Sequence, residues 1–316
     1  MNAVVRIFVA EGEDTEGSKE ENLRTSIVKQ SPPYCYAFPS IAADAERSRV
    51  EREWYHLVDQ RAAMKKWVPE IYHYDHETFV IHMEDLGRDC HDLTSAYTEG
   101  EFVDEEILQE IVRFLAELHN PALVDTITAE QRKILHNPDM RRIMVEHMFL
   151  LPLQADNGFD LDASLPGLIT LSEKYKADEE LAGVARQLSE DYAKEAAPGE
   201  GALLHGDFFP GAWFLSNGSL RIIDPEFSFV GPPEVDIGCM FGHLTLCGHS
   251  DETLEELKKL YCELNPRPLN DKLIEQLRGI EIVRRIIGIA QQPLHGVDIA
   301  TRAALLEKGR RLILQL

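Results

Sequence analysis

Two turn motifs, each closing a short apolar run, constrain this chain more than any other feature. The segment ALLHGDFFPGAWF delivers His205-Gly206-Asp207 into a loop, and LRIIDPEF brings Asp224-Pro225-Glu226, seventeen residues after Asp207, to the end of a later run. An isolated Asp beside Gly or Pro is ordinarily a turn residue. Here residues 202–204, 212–215 and 220–223 are short apolar runs separated by turn residues, which predicts a small strand cluster with the motifs on its turns. Two adjacent turns can face one pocket. Such a pocket suits phosphoryl transfer, in which one carboxylate orients or deprotonates an attacking hydroxyl and others hold magnesium against the phosphates.

The rest of the pattern sets this cluster inside a two-part α+β chain. Residues 3–10 (AVVRIFVA) and 23–30 (LRTSIVKQ) are rich in β-branched residues and flank the acidic stretch EGEDTEGSKEE, which reads as a hairpin loop. From Ala42 to about Ala63, Val50, Trp54, Leu57 and Val58 recur at helical spacing, so this segment reads as one amphipathic helix. A short strand, residues 79–83, stops at Glu84-Asp85-Leu86-Gly87, the expected linker. After residue 88 the chain reads mainly as helix; Ile107, Ile111, Leu115 and Leu118 mark one such face. The expected organisation is a small β-rich lobe over residues 1–86 and a helical lobe over 87–316.

Charge and cysteine usage narrow the function classes. The net charge of −23, from 55 acidic against 32 basic residues with no basic cluster, repels phosphate backbones and anionic lipid, so neither nucleic acid nor membrane is an expected partner. The five cysteines lack both metal-site spacing and the density of a disulfide scaffold, and no apolar window approaches a membrane span, which fits a reducing cytoplasm. His73, His76, His82, His136, His147 and His243 are scattered and read as surface or satisfied core residues, with no zinc site. Phe208 and Trp213, beside the Asp207 loop, read as packing residues.

The motif order resembles the aminoglycoside phosphotransferase and choline kinase-like group, and within it the methylthioribose kinases. The likeness rests on Asp224-Pro225-Glu226-Phe227 continuing through Phe229, Gly231-Pro232 and Asp236-Ile237-Gly238, on Met83-Glu84-Asp85-Leu86, and on Arg284-Arg285-Ile286-Ile287-Gly288. It implies a protein-kinase-like bilobal fold, ATP and Mg2+ as cofactors, and a small hydroxyl-bearing acceptor, methylthioribose or a related pentose first. By position it makes Asp207 the catalytic base and Asp224 and Glu226 the magnesium ligands. Lys29 would hold nucleotide phosphates and pair with Glu51, with Glu53 a competing partner, while Met83, Glu84 and Leu86 would receive the adenine. His205 and Asp236 would support the loop, Asp236 by accepting its backbone hydrogen bonds. Arg284 and Arg285 would lie at the sugar site. On helical geometry Arg284 falls on the apolar stripe with Leu273, Leu277, Ile280 and Ile287, and a core carboxylate is an equal alternative partner; Arg285 is expected to form an exposed pair with Glu281.

Two departures keep a second reading open. The position five after Asp207, where the family carries a metal-binding polar residue, is Ala212, and the first strand and glycine-rich loop expected ahead of Asn2-Ala3-Val4 are not found. Magnesium needs only one or two protein carboxylates, so Asp224 and Glu226 could still hold one ion. The alternative is a kinase-shaped nucleotide- or metabolite-binding protein with lost or weak transfer. Within the kinase class, aminoglycosides, fructosamines, homoserine and amino alcohols are the other acceptors, and a homodimer is compatible with either reading.

Overall fold

The computed structural model describes residues 2–9, 24–36, 38–197 and 200–316. The acidic stretch between the first two strands lies outside them. Strands β1 (Ala3–Val9) and β2 (Arg24–Gln30) pair antiparallel, followed by the short pair β3 (Tyr34–Cys35) and β4 (Phe38–Ala42), helix α1 (Arg47–Asp59), and strands β5 (Ile71–Asp75) and β6 (Val80–Glu84). The main sheet runs β1-β2-β6-β5. Its register sets Lys29 between Val4 and Ile81, and Ile27 beside Met83. Because side chains alternate along a strand, Asn2, Val4 and Arg6 share the face on which Ile27 and Lys29 look into the interlobe cleft.

The helix expected over 42–63 is shorter at both ends. Residues 38–42 are strand, and the Asp44 carboxylate accepts the Glu46 amide at 3.0 Å while the buried Arg47 guanidinium binds the Ala43 and Asp44 carbonyls, holding the entry chain out of helix. Inside α1 the apolar spacing does what it predicts. Trp54, Leu57 and Val58 are essentially inaccessible, each worth about 1.5–3 kcal/mol on burial. Strand β5 was not visible in the sequence, because IYHYD mixes Tyr and His with charge and shows no apolar face.

The helical part comprises β7 (His91–Asp92), α2 (Glu105–Leu118), α3 (Pro121–Val124), α4 (Ala129–Ile134), α5 (Pro138–Met144), α6 (Leu168–Lys176) and α7 (Glu179–Ala193). Then come β8 (Ala202–Leu203), β9 (Trp213–Ser216), β10 (Ser219–Ile222) and β11 (Val230–Gly231), and helices α8 (Glu234–Leu246), α9 (Asp251–Leu264), α10 (Asp271–Ile287) and α11 (Ile299–Leu314). The strand cluster exists, but as two pieces: β10-β9-β7 form one small sheet and β8 pairs with β11. Every residue of α8 is buried, as expected of a helix apolar on all sides, and α10 packs against it and α11. Gly242 of α8 allows this approach, since a Cβ there would collide with the Glu281 side chain of α10. Phe208 stacks on Phe114 and meets Trp213 with ring centres 5.2 Å apart, so both are core packing. Among the described residues no helix is long and apolar enough to cross a membrane.

Candidate active site

The loop after β8 is fixed from beneath. Asp236, at the start of α8, accepts the His205 amide at 2.7 Å and the Gly206 amide at 2.9 Å, and its Oδ2 also meets His119 Nε2 at 3.1 Å. Burial opposes ionisation of Asp236, but the His119 contact and the amides hold its carboxyl below the usual range. Gly206 takes φ 90°, and a Cβ there would overlap the Phe227 carbonyl, so only glycine lets the two motifs lie against each other. His205 is buried, its Nε2 2.9 Å from the Ile223 carbonyl, which links the first motif to the strand end carrying the second.

This arrangement aims Asp207 at α10. Its Oδ1 accepts from Arg284 Nη2 at 2.7 Å and from Arg285 Nη2 at 2.9 Å; Oδ2 is engaged by neither guanidinium. Below them Glu281 accepts Arg284 Nε at 2.6 Å and Arg285 Nε at 2.7 Å, one on each oxygen. The expectation of an exposed Arg285 is therefore wrong, although its pairing with Glu281 is present: both arginines are about 95% buried. Adjacent positions on a helix do diverge, yet α10 is buried on all sides from Leu277 onward, and two long side chains can converge on a shared carboxylate one turn back. Burial opposes ionisation of Glu281, but the two arginines hold it well below its ordinary value. His243 Nε2 lies 2.8 Å from Glu281 Oε1, and the ring is buried deeply enough that its pKa falls to about 4, so it is neutral at pH 7. His243, read as an ordinary histidine, thus sits behind this network, with Tyr97 hydrogen-bonded to its other nitrogen.

Across the cleft, Lys29 meets Glu51 at 2.7 Å and also pairs with Asp224. Glu53 instead pairs with Arg52 at 2.9 Å and accepts from Gln131 at 2.8 Å. Burial pushes Glu51 up to about 7 against the pull of Lys29. Asp224 is opposed by burial too, but Lys29 holds it down to about 2. Lys29 itself would be lowered by burial; Asp224, Glu51 and Glu226 outweigh that and raise it. Glu226 is raised by burial and by Asp224.

Ligand atoms of Glu51, Asp224 and Glu226 lie within 4.8 Å of one another. Glu226 Oε2 accepts Arg47 Nε at 3.0 Å and Asn2 Nδ2 at 2.8 Å, whereas Oε1 is buried without a hydrogen-bond partner. An orphaned carboxylate oxygen among three acids fits a divalent cation. Ala212 adds no ligand: it is buried in a single 3-10 turn. A second group, Cys239, His243 and Glu281, has the spacing for a metal, but the two guanidiniums on Glu281 already supply its cations.

The cleft holds a cavity of about 330 Å³, walled by Val4, Ile27, Met83 and Leu86 and reaching Lys29 and Asp224. Glu84 directs its carboxylate away to Arg221, and Asp85 is bound by Arg6 at 2.6 Å. A larger cavity of about 760 Å³ lies behind it, but its cations are already paired, Lys65 with Asp59 at 3.1 Å and Arg221 with Glu84. Sequence reasoning missed Asn2, Arg47, Tyr55 and His119. The signal for Arg47 and Tyr55 was their place four residues either side of Glu51.

Comparison with known proteins follows the same lines. Residues 17–270 match the phosphotransferase enzyme family, APH. A methylthioribose kinase of Enterobacter sp. (strain 638) is 28% identical over 260 residues, covering 78% of this chain and 59% of that protein. One from Geobacillus kaustophilus (strain HTA426) is 26% identical over 340 aligned positions, covering 94% and 82%. The chain thus spans little more than half the length of some of the curated relatives it matches, 54% for the kinase of Yersinia pseudotuberculosis (strain YPIII). In structure, the AMP-bound complex of spectinomycin phosphotransferase APH(9)-Ia superposes with a TM-score of 0.51 at 15% identity, over 95% of this chain and 89% of that one. The ethanolamine kinase of Plasmodium vivax gives 0.50 at 13%, over 99% and 79%. The fold shared with them is the protein-kinase-like one expected from the motif order.

Proposed function

Because the chain belongs to the phosphotransferase enzyme family, we propose that it transfers the γ-phosphoryl group of ATP to a hydroxyl of a small molecule, a methylthioribose-like sugar being the first candidate. The observation that carries this reading is the setting of Asp207, on the loop whose His205 and Gly206 amides Asp236 accepts, with one oxygen tied to two arginines and the other not. The acceptor hydroxyl would lose its proton to Asp207 Oδ2 as its oxygen bonds the γ-phosphorus and the bond to ADP breaks; the proton then passes to solvent. Arg284 and Arg285 would orient the acceptor and offset the charge that builds on the transferring group. Lys29, kept in place by Glu51, would hold the α and β phosphates, and the Val4, Ile27, Met83 and Leu86 walls would receive the adenine. Asp224 and Glu226 would hold Mg2+, which supplies charge neutralisation across the phosphates.

The two lobes would divide at Leu86. Five free cysteines fit a reducing cytoplasmic setting. The kinase relatives' acceptor supports methylthioribose, and two arginines facing Asp207 suit a polyhydroxyl molecule better than a cationic amine. A coupled assay of ADP release with methylthioribose should show turnover that vanishes in Asp207→Ala; full activity in that variant would sink the proposal. The buried methyl of Ala212 favours a second reading, a binding protein without turnover. ADP and magnesium binding together with no product on any acceptor would select it.

A further inference from the structure

We infer that α1 positions both carboxylates of the magnesium motif through Arg47 and Tyr55, one turn either side of Glu51; this rests on the metal-dependent reading above. Residues at four-residue intervals climb a helix by about 6 Å per step and drift only slightly around it, so Arg47, Glu51 and Tyr55 form one stripe. That stripe runs along the Asp224-Pro225-Glu226 segment, and each member takes a different part of it.

Arg47 takes the side chain of Glu226. It is 1% exposed, and besides Glu226 Oε2 it donates to the carbonyls of Pro32 at 2.7 Å and Asp44 at 2.8 Å and to Asn2 Oδ1 at 3.0 Å. Asn2 in turn donates to the same Glu226 oxygen and accepts from Ser31 Oγ at 2.8 Å. One oxygen of Glu226 is therefore fully engaged. The carboxylate cannot rotate without breaking both contacts, and Oε1 is left buried without a hydrogen-bond partner.

Tyr55 takes the backbone. Its hydroxyl accepts the Asp224 amide at 3.2 Å, and Asp224 stands at φ 68°, a left-handed conformation that a non-glycine residue holds only when its surroundings fix it. Asn137 secures the far side of the same turn, donating to the carbonyls of Glu226 at 2.9 Å and Ser228 at 3.0 Å. Glu51 completes the stripe through Lys29, which pairs with the Asp224 side chain. With Ala212 contributing nothing, the motif's two carboxylates depend on this helix for their aim.

The measurement is ADP affinity by calorimetry in excess magnesium and again in EDTA, for the parent chain, Arg47→Lys and Tyr55→Phe, with Mn2+ uptake by the ADP complex followed by electron paramagnetic resonance. We expect the magnesium-dependent gain in ADP affinity to fall about 10–100-fold in Arg47→Lys and toward the lower end in Tyr55→Phe, the range typical when a partner orienting a metal ligand is lost. Affinity in EDTA should be unchanged. Equal losses with and without magnesium, or a full magnesium gain in both variants, would overturn the positioning role. A parent chain that binds ADP but gains nothing from magnesium would overturn the metal-dependent reading itself, a distinguishable result. If Arg47→Lys fails to fold, Tyr55→Phe, which removes a single oxygen, decides the matter alone.

Discussion

On the α1 side of the cleft, three carboxylates, Glu51, Asp224 and Glu226, face two cations, Lys29 and Arg47; on the α10 side, Asp207 and Glu281 face Arg284 and Arg285. The first cluster keeps a carboxylate oxygen with no hydrogen-bond partner, which suits it to gain a cation. The second is balanced, with every guanidinium Nε on Glu281. Their construction differs as well. Lys29 and Asp224 are separated by 195 positions and lie in different lobes, whereas the arginines and Glu281 lie within one turn of one helix. The open cluster joins elements far apart in the chain; the closed one is centred on a single helix.

The strongest way to break this contrast is Asp207→Asn, which keeps the shape but removes the proton acceptor. Turnover should fall by about 10²–10⁴-fold, the usual worth of a general base, while calorimetry shows ADP binding intact. Next, Glu281→Gln leaves two buried guanidiniums short of a counter-charge. Chemical denaturation should reveal a loss of about 3–5 kcal/mol, and a loss no greater than that of an exposed pair would mean that the closed cluster is not a unit. Lys29→Met should weaken ADP binding by about 1.5–3 kcal/mol, the worth of a charged hydrogen bond, as read by calorimetry.

The smallest effect separates the clusters by pH. The Glu51 carboxyl is raised to about 7 in the folded chain, above its ordinary 4.5. Its unfolded form ionises first as pH rises, so the stability tied to the protonated acid is complete below 4.5 and is lost as pH climbs to about 7. Glu51→Gln should therefore compare less favourably with the parent at pH 5 than at pH 8, measured by urea unfolding at both. His243 runs the other way: depressed to about 4, it contributes stability that is present above its ordinary 6.5 and is lost as pH falls through 4. A His243→Gln variant should flatten the acid limb alone.

What the sequence made legible follows the same divide. His205 to Asp207 and Asp224 to Glu226 sit on local strand-turn signals, and Ile27, Val28 and Lys29 on β-branched alternation, so residue types and spacing reveal them. Arg47 and Tyr55 act on partners 179 and 169 positions away; their spacing of four from Glu51 puts them on its stripe, but nothing local names those partners. Arg285 was misjudged for a related reason: periodicity measures which side of a helix is apolar, but from Leu277 onward α10 has no free side. The late start of α1 reflects side-chain hydrogen bonds from Arg47 to the Ala43 and Asp44 carbonyls, which helix propensity does not register.

Water competes with any acceptor that enters a nucleotide cleft, and the double grip on Asp207 bears on that contest. With Oδ1 occupied by Arg284 and Arg285, a lone water meets a carboxylate whose charge is already spread over two guanidiniums. In the proposed transfer, a polyol would bring neighbouring oxygens that take those donors over as it docks. Such an exchange would couple release of the Asp207 carboxylate to arrival of the right molecule, and ATP would be spared from idle hydrolysis while the cleft waits.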